Sequence, residues 1–186
     1  MDERTVRSYE TNAAEFAERY ESAPGSIGGF LRLAFAPGSR VLDIGAGSGR
    51  DMAALLREGH DAWGIEPSDR LRAISIERHP ELAGRLRAGT LPEGLPADLP
   101  GPFDGLLCSA VFQHIPRRYL FDSVYQLRPL LREHGRLLVS IPAVRSDVGQ
   151  DARDTYDRLF NGVKPDEGGI RHRLACRDPL NRPPPI

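Results

Sequence analysis

The sequence lacks several features that identify whole classes of protein. Its two cysteines, Cys108 and Cys176, lie far apart and form no paired motif, so neither a disulfide framework nor a zinc site is predicted. No apolar run approaches the ~18 residues that span a bilayer. The N-terminal segment MDERTVRSYE is charged, unlike a secretory signal. The default expectation is therefore a cytoplasmic protein with no membrane association.

An excess of charge of either sign is also missing. The chain has 25 Lys and Arg residues against 26 Asp and Glu residues, for a net charge of −1 over 186 residues. This balance provides no overall electrostatic footprint for nucleic acid or anionic lipid. The length and the 40% hydrophobic content instead predict one globular domain with a substantial core.

What the sequence does contain is a regular alternation of strand-like and helix-like segments. Strand-like runs lie at 41–44, 61–65, 85–89, 103–111 and 136–141, with helical patterns or loops between them. Strands separated by helices form βαβ units, so the pattern predicts an α/β fold with a mainly parallel, doubly wound sheet. Before this core, apolar residues at steps of three and four from Val6 to Tyr20 predict one amphipathic helix that ends at a Pro24–Gly25 turn. A second short helix is predicted in 27–35.

The segment after the fourth strand has the spacing of a further helix. Pro116 suits its first turn, Pro129 is expected to distort its last turns, and Gly135 is expected to end it. Its expected buried face consists of Tyr119, Leu120, Val124, Leu127 and Leu131.

A glycine-rich loop, VLDIGAGSGRD at 41–51, joins the first strand to a helix. In parallel sheets, ligands bind beyond the carboxyl ends of the strands. Dinucleotide folds use G-x-G-x-x-G to seat a pyrophosphate, but here Gly49 follows Gly45 by four residues rather than five. Asp43, two residues before Gly45, would repel a pyrophosphate and suits a cationic ligand. Glu66 ends the next strand, where a carboxylate can accept both hydroxyls of a ribose.

At this point the chain resembles the class I S-adenosylmethionine-dependent methyltransferases. VLDIGAGSGRD resembles their first motif, and GIEPSD at 64–69 resembles their second. The stretches at 87–96, 103–116 and 134–142 resemble the adenine-lining loop, the fourth-strand motif of the small-molecule branch, and the fifth strand. The helix containing YETNAAEFAERY is similar to a lid over the cofactor. The resemblance implies a Rossmann-like domain over 1–165, with lid helices in 1–38 and the cofactor-binding core in 39–145.

The resemblance also implies S-adenosylmethionine as cofactor, no metal, and methyl transfer to an oxygen or nitrogen of a small molecule by in-line displacement. The implied cofactor-binding residues are Tyr20, Asp43, Gly45, Ala46, Gly47, Gly49, Asp51, Glu66, Pro67, Thr90, Leu91 and Ser109. One position departs from the pattern. Many members have an aspartate for the adenine amino group where this chain has Gly89 and Thr90, so Thr90 or the Leu91 backbone is expected to replace it.

His114, in the loop where the fourth strand ends, is the candidate catalytic base for an acceptor that must lose a proton. The alternative is a histidine that packs against or caps the next helix. Gln113 could bind substrate or solvent, and Tyr9 and Tyr20 could pack under the lid or reach the ligand with their hydroxyls.

Cys108 lies in an apolar strand, which favours a buried residue over a nucleophile. The segment SAVF at 109–112 differs from the Asn/Asp-Pro-Pro-aromatic loop of nucleic-acid amino-methylating enzymes, so nucleic acid is not the expected substrate.

The C-terminal segment does not fit the family pattern. Members finish with a helix and an antiparallel hairpin that covers the fifth strand, whereas 166–186 is Pro- and Arg-rich with no strand-like run. An altered or truncated end, an atypical loop, or a partner or second copy covering the strand edge are the open explanations. This segment motivates one rival function, a catalytically silent module that binds the cofactor and scaffolds a partner. A nicotinamide-dependent oxidoreductase is a separate alternative.

Overall fold

The fold is a five-stranded sheet in the computed structural model, which describes residues 3–23 and 27–141. Every strand pairing in it is parallel, and the order is β3-β2-β1-β4-β5. The strands are β1 Arg40–Ile44, β2 Asp61–Glu66, β3 Leu86–Ala88, β4 Phe103–Ser109 and β5 Leu131–Ser140. The strand order reverses direction next to β1, so the predicted doubly wound α/β fold is confirmed.

Six α-helices accompany the sheet in the described part of the chain. They are α1 Glu3–Thr11, α2 Ala13–Ser22, α3 Gly28–Ala34, α4 Arg50–Arg57, α5 Asp69–Arg78 and α6 Leu120–Leu127. The prediction of a single N-terminal helix is wrong, because the backbone leaves helical geometry at Asn12 (φ −110°, ψ 26°). The apolar spacing continues across this one-residue break, so it carries no signal of the interruption. The Pro24–Gly25 turn lies outside the described residues.

The helix α6 ends, and the strand β5 begins, earlier in the chain than the sequence pattern predicts. The α-helix ends at Leu127 and a 3₁₀ turn follows at Arg128–Leu130, so the helical geometry is distorted at Pro129 as predicted. Gly135 does not end the helix; it lies inside β5, which begins at Leu131 and pairs with Phe103 of β4. The predicted buried face is wrong at two positions, since Tyr119 is 37% exposed and Val124 is 48% exposed. Leu127 is buried as expected.

The apolar core lies on both faces of the sheet. One cluster packs α3 and α4 against the sheet through Leu31, Phe35, Met52 and Leu55, and the other packs α6 against it through Leu127. Cys108 is buried in the second cluster, and burial raises the pKa of its thiol above the usual range. A raised thiol pKa disfavours the nucleophilic thiolate, which agrees with the prediction that Cys108 is structural.

Within the described residues, β5 pairs with β4 on one side and lies at the edge of the sheet. The predictions of a missing hairpin and of an irregular tail at 166–186 concern residues beyond 141, outside the described part. No helix among residues 3–23 and 27–141 has the length and apolar character needed to cross a bilayer. In the same ranges, no cluster of potential metal ligands occurs.

Candidate active site

The carboxyl ends of three neighbouring strands bring the predicted polar residues to one edge of the sheet. Asp43 lies near the end of β1, Glu66 ends β2, and Ser109 ends β4. Asp43 and Glu66 are 2% and 5% exposed, so both carboxyl groups are almost fully removed from solvent. Buried acids at the ends of parallel strands are typical of a ligand site rather than of a stabilising core.

The glycine loop between β1 and α4 adopts a conformation that needs its glycines. Gly45, Gly47 and Gly49 have φ values of 73°, 57° and 83°, which side chains disfavour. The N–H groups of Gly45 and Ala46 both donate to the Ile65 carbonyl, at 2.8 and 3.0 Å, which fixes the loop against β2. A Cβ on Gly45 would lie 2.8 Å from Cγ2 of Val111, so the loop also packs closely on the segment after β4.

Glu66 is held in place by the backbone on both sides. Its Oε2 accepts from the Gly47 N–H at 3.1 Å and its Oε1 accepts from the Ser68 N–H at 3.0 Å. Burial raises the pKa of Glu66, and these two N–H groups act in the opposite direction. Pro67 lies between these contacts, half-buried. The Glu66 carboxylate is thus oriented before any ligand arrives.

Asp43 is a buried acid whose pKa is raised by its surroundings. Burial raises its pKa well above the usual range, and the negative charges of Asp51 and Glu66 raise it further, while Arg50 opposes them. Asp51 lies in the first turn of α4, with its Oδ1 at 3.1 Å from Nε of Arg50. Three carboxyl groups around one loop create a site that a cationic ligand would stabilise.

The lid, defined here as α1 and α2, is tied down over this loop. The Tyr20 ring covers Gly47, with ring carbons 3.6 and 3.8 Å from where a Cβ would lie, and the Tyr20 carbonyl accepts from Nη1 of Arg50. Glu10 accepts from Oγ of Ser68 at 2.6 Å, which links α1 to the N-cap of α5. The Tyr20 ring therefore lies beside the glycine loop.

A second acid of the lid strengthens the same attachment. Glu21 lies 3.1 Å from Nε2 of His79, at the end of α5. Burial alone would raise the pKa of Glu21, but the hydrogen bonds from His79 and Ser48 and the charges of His79 and Arg50 lower it below its usual value. The carboxylate form of Glu21 is therefore the one that holds the lid.

The loop after β3 has Gly89 and Thr90 where many family members have an aspartate, and its packing accounts for the glycine. A Cβ on Gly89 would lie 3.0 Å from Cδ of Pro96 and 3.1 Å from Cβ of Ile65, so the space for a side chain is already filled. The Thr90 hydroxyl donates to the carbonyl of Leu91 at 3.4 Å, and the Leu91 side chain is 1% exposed in the core. Both residues lie in the loop next to β2, with Thr90 half-buried.

The segment after β4 forms the other wall of the site. Ser109 shares a hydrogen bond of 3.1 Å with Ser140, at the end of β5. His114 lies in a 3₁₀ turn at Phe112–His114, and its Nε2 is 3.1 Å from the Tyr9 hydroxyl of the lid. The next element begins at Arg117 with Pro116 before it. The structure thus places the candidate base against the lid, rather than as a cap on the following helix.

A family model described as a methyltransferase domain matches residues 16–172 of the chain. The chain belongs to this family. An uncharacterized methyltransferase of Bacillus cytotoxicus is 31% identical over 137 residues, which cover 73% of this chain and 58% of that protein. The ubiquinone biosynthesis O-methyltransferase of Xylella fastidiosa is 34% identical over 107 residues, which cover 55% of this chain and 42% of that protein. The chain therefore spans about half the length of these relatives.

A solved structure has the same fold as this methyltransferase domain. It is the 1,6-didemethyltoxoflavin-N1-methyltransferase of Burkholderia thailandensis, with its substrate and S-adenosylhomocysteine bound. The TM-score is 0.60 at 22% identity, and the match covers 76% of this chain and 63% of that one. The TM-score establishes a common fold, and at 22% identity the likeness extends to the fold alone. The predicted family and the predicted Rossmann-like architecture are thus both confirmed.

Several residues that organise the methyltransferase site were not identified from the sequence. The Ser75 hydroxyl donates to the Gly47 carbonyl at 2.6 Å, and Arg50 and Glu10 anchor the lid. Ser75 lies on α5, 28 residues from Gly47 in the chain, and no motif connects the two. A helix-facing serine amid apolar neighbours is a weak signal at best, because its partner is a backbone atom of another loop.

The raised pKa of Asp43 predicts a distinctive pH dependence for the free methyltransferase domain. At this group the folded protein binds a proton more tightly than the unfolded chain does. The stabilisation is complete below the ordinary aspartate pKa of about 4 and is lost as pH rises through the raised value. Between about pH 4 and neutrality, we expect the free energy of unfolding of Asp43→Asn to fall less than that of wild type. At the upper end of this range the variant should be the more stable protein.

Urea unfolding of the ligand-free protein across this pH range measures the effect. Asp122→Asn, which changes an exposed acid on α6, is the matched control and should leave the wild-type slope in place. The raised pKa of Glu66 also makes the free energy of unfolding fall as pH rises, so the Asp43 variant should keep part of the pH dependence. A slope identical to wild type would show that Asp43 is not strained by burial.

Proposed function

We propose that the chain is an S-adenosylmethionine-dependent methyltransferase that transfers a methyl group to an oxygen or nitrogen of a small-molecule acceptor by in-line displacement. One observation carries this proposal. Two buried carboxyl groups, Asp43 and Glu66, lie beside the glycine loop, and Glu66 is oriented by two backbone N–H groups. A pyrophosphate would meet negative charge here, whereas a sulfonium nucleoside brings positive charge and a ribose.

Different groups of residues are proposed to bind the ribose, the adenine and the amino-acid end of the cofactor. Glu66 and Pro67 face the ribose, and Thr90 and Leu91 line the adenine from the next loop. The loop from Gly45 through Ala46 and Gly47 to Gly49, together with Asp51 and Tyr20, surrounds the amino-acid end. There a carboxylate would meet the N-terminus of α4. Ser109 completes the wall at the end of β4.

A bound sulfonium supplies an already activated methyl group, so the chain itself needs chiefly to align the acceptor. Proximity and orientation account for about 7–11 kcal/mol of barrier reduction in favourable cases. An acceptor hydroxyl or protonated amine must also lose a proton, and His114 is the proposed recipient. The lid shields part of the loop from water, since the Tyr20 ring lies over Gly47.

A small-molecule acceptor is supported by charge and by relatives. The net charge of −1 provides no general attraction for nucleic acid. One relative is named for an O-methylation in ubiquinone biosynthesis and the structural neighbour for N1-methylation of a toxoflavin precursor. These names specify one oxygen and one nitrogen as the methylated atom, so phenols, catechols and nitrogen heterocycles are the first acceptors to test.

Isothermal titration calorimetry tests the cofactor. We expect saturable binding of S-adenosylmethionine and S-adenosylhomocysteine and no saturable binding of NADH. Saturation by NADH with no response to either sulfur nucleoside would support an oxidoreductase instead. Transfer of a radiolabelled methyl group to a panel of phenols, catechols and heterocyclic amines then tests the reaction. Binding without transfer to any acceptor would support a catalytically silent binding module.

The exposed edge of β5 motivates a proposal about partners. A parallel edge strand presents unpaired N–H and C=O groups, which proteins usually cover. Within the described residues this edge lies open, so self-association or a partner could occupy it. Light scattering after size-exclusion chromatography of the full chain decides between a monomer and a self-associated form.

A further inference from the structure

Two tyrosines and a histidine form a continuous hydrogen-bonded chain between the lid and the wall after β4. The Tyr20 hydroxyl donates to the Tyr9 oxygen at 3.0 Å, and the Tyr9 oxygen lies 3.1 Å from Nε2 of His114. The three side chains come from α2, α1 and the 3₁₀ turn at Phe112–His114. All three are half-buried, so the chain is partly shielded from water.

The direction of the chain follows from the protons that are available. A tyrosine has one hydroxyl proton, and Tyr20 gives its proton to Tyr9. With that hydrogen bond accepted at its oxygen, Tyr9 can donate its own proton to His114, and Nε2 is then the unprotonated nitrogen of a neutral imidazole. The second ring nitrogen, Nδ1, carries the proton in that tautomer. The aromatic rings support this geometry, since the Tyr9 and His114 rings meet edge-on at a 90° interplanar angle, with centroids 5.6 Å apart.

In this arrangement Nε2 of His114 faces the Tyr9 hydroxyl of the lid. Resting on the proposed methyl transfer, we propose that Tyr9 is a positioning residue that sets the tautomer of His114, and that the acceptor's proton reaches His114 through Tyr20 and Tyr9. The lid then provides part of the catalytic machinery as well as a cover.

The transfer balances in atoms and charge. The acceptor oxygen or nitrogen forms a bond to the methyl carbon as the carbon–sulfur bond breaks, and the sulfur keeps the electron pair. The acceptor's proton goes to the Tyr20 oxygen, the Tyr20 proton goes to Tyr9, and the Tyr9 proton goes to Nε2 of His114. Both tyrosines end neutral with one proton each. The positive charge lost at sulfur is replaced by the imidazolium of His114.

The same contacts that dock the lid assemble this path. Glu10 on Ser68 holds α1, the helix of Tyr9, and Arg50 on the Tyr20 carbonyl holds α2, the helix of Tyr20. The rings of Phe16 and Tyr9 lie 4.6 Å apart and brace the two helices against each other. Displacing the lid would separate Tyr9 from His114, so the base is connected only while the lid is in place.

Nitrogen-15 NMR of histidine-labelled protein tests the inference without cofactor or acceptor. The chain has five histidines, and His114→Gln assigns the signal of interest. At a pH where the ring is neutral, we expect wild-type His114 to be the Nδ1–H tautomer, with Nε2 unprotonated. Tyr9→Phe should shift His114 toward the Nε2–H tautomer. Tyr125→Phe, an exposed tyrosine on α6, is the matched control and should change nothing. A wild-type Nε2–H tautomer, or one that Tyr9→Phe leaves unchanged, would overturn the proposal.

Kinetics provide the second readout, with any hydroxyl acceptor that the panel identifies. Tyr9→Phe should lower kcat by about 10- to 100-fold, within the range attributed to general acid–base catalysis. The KM for S-adenosylmethionine should stay within about twofold of wild type, because the glycine loop and Glu66 are unaltered. An unchanged kcat would overturn the proton path. Failure of wild type to bind the cofactor would instead reject the proposed function, and the NMR result would still decide the tautomer.

Discussion

Replacing Glu66 by alanine is expected to weaken binding of S-adenosylhomocysteine by roughly 5- to 150-fold, or about 1–3 kcal/mol. The Glu66 carboxylate is 5% exposed and already oriented by the N–H groups of Gly47 and Ser68, so a ribose meets it without further ordering. Its loss removes the proposed ribose acceptor and leaves two loop N–H groups to find other partners. Isothermal titration calorimetry measures the change.

A control is needed because the same substitution loosens the loop. Glu133→Ala changes an acid in the first part of β5 whose side chain is 79% exposed, and it should bind the ligand as wild type does. Circular dichroism should show that both variants are folded. Glu66→Gln, which keeps the shape and one acceptor oxygen, is expected to fall between alanine and wild type. Wild-type affinity in a folded Glu66→Ala protein would remove Glu66 from the site.

Replacing Gly49 by alanine is expected to lower the free energy of unfolding by about 2–4 kcal/mol. Gly49 has φ 83°, which costs any residue with a side chain, and a Cβ there would lie 2.4 Å from Cδ1 of Leu82. Leu82 is fully buried, and Cβ of Ser75 lies 3.3 Å from the same point, so the leucine has little room to turn aside. Urea unfolding of the ligand-free protein gives the value.

Gly59 separates the two causes of that cost. It has φ 85°, yet a Cβ there would find no heavy atom within 4 Å. Gly59→Ala should therefore cost about 1–2 kcal/mol from backbone conformation alone. The excess at Gly49 measures the crowding between the glycine loop, α5 and Leu82. Equal losses at the two glycines would mean that the loop accommodates the extra methyl group without resistance.

Elements with strong local signals could be predicted closely. Ser68, a residue type that favours the N-cap position, accepts from the Leu71 N–H, and α5 ends at Arg78 with His79 as its C-cap. Two boundaries could not be predicted for physical reasons. The break at Asn12 leaves the apolar spacing intact, and the start of β5 is polar. That start is held by pairing with Phe103 and by an ion pair of Arg132 with Asp104, both distant in sequence.

In the candidate site, too, some features could be predicted from the sequence and others depend on tertiary packing. Asp43 and Glu66 could be placed together from the sequence, because parallel strands end at one edge and both acids lie at or next to the end of a strand. Their burial and the raised pKa values of the two acids depend on how the lid and α5 close over that edge. The replacement of the family's aspartate by Gly89 also has a tertiary cause, since Ile65 and Pro96 fill the space.

The sequence by itself determined the fold class, the family and the residues that line the glycine loop. The fold class follows from strand periodicity, the family from the resemblance of short motifs to a known pattern, and Asp43 and Glu66 from their places beside the glycines and at the strand ends. All of these signals are local in the chain. Only the tertiary structure decided that His114 meets Tyr9, 105 residues away, and that Glu10 holds Ser68, 58 residues away. Such contacts depend on how helices dock on the sheet, and docking is set by packing across the whole domain rather than by any short segment.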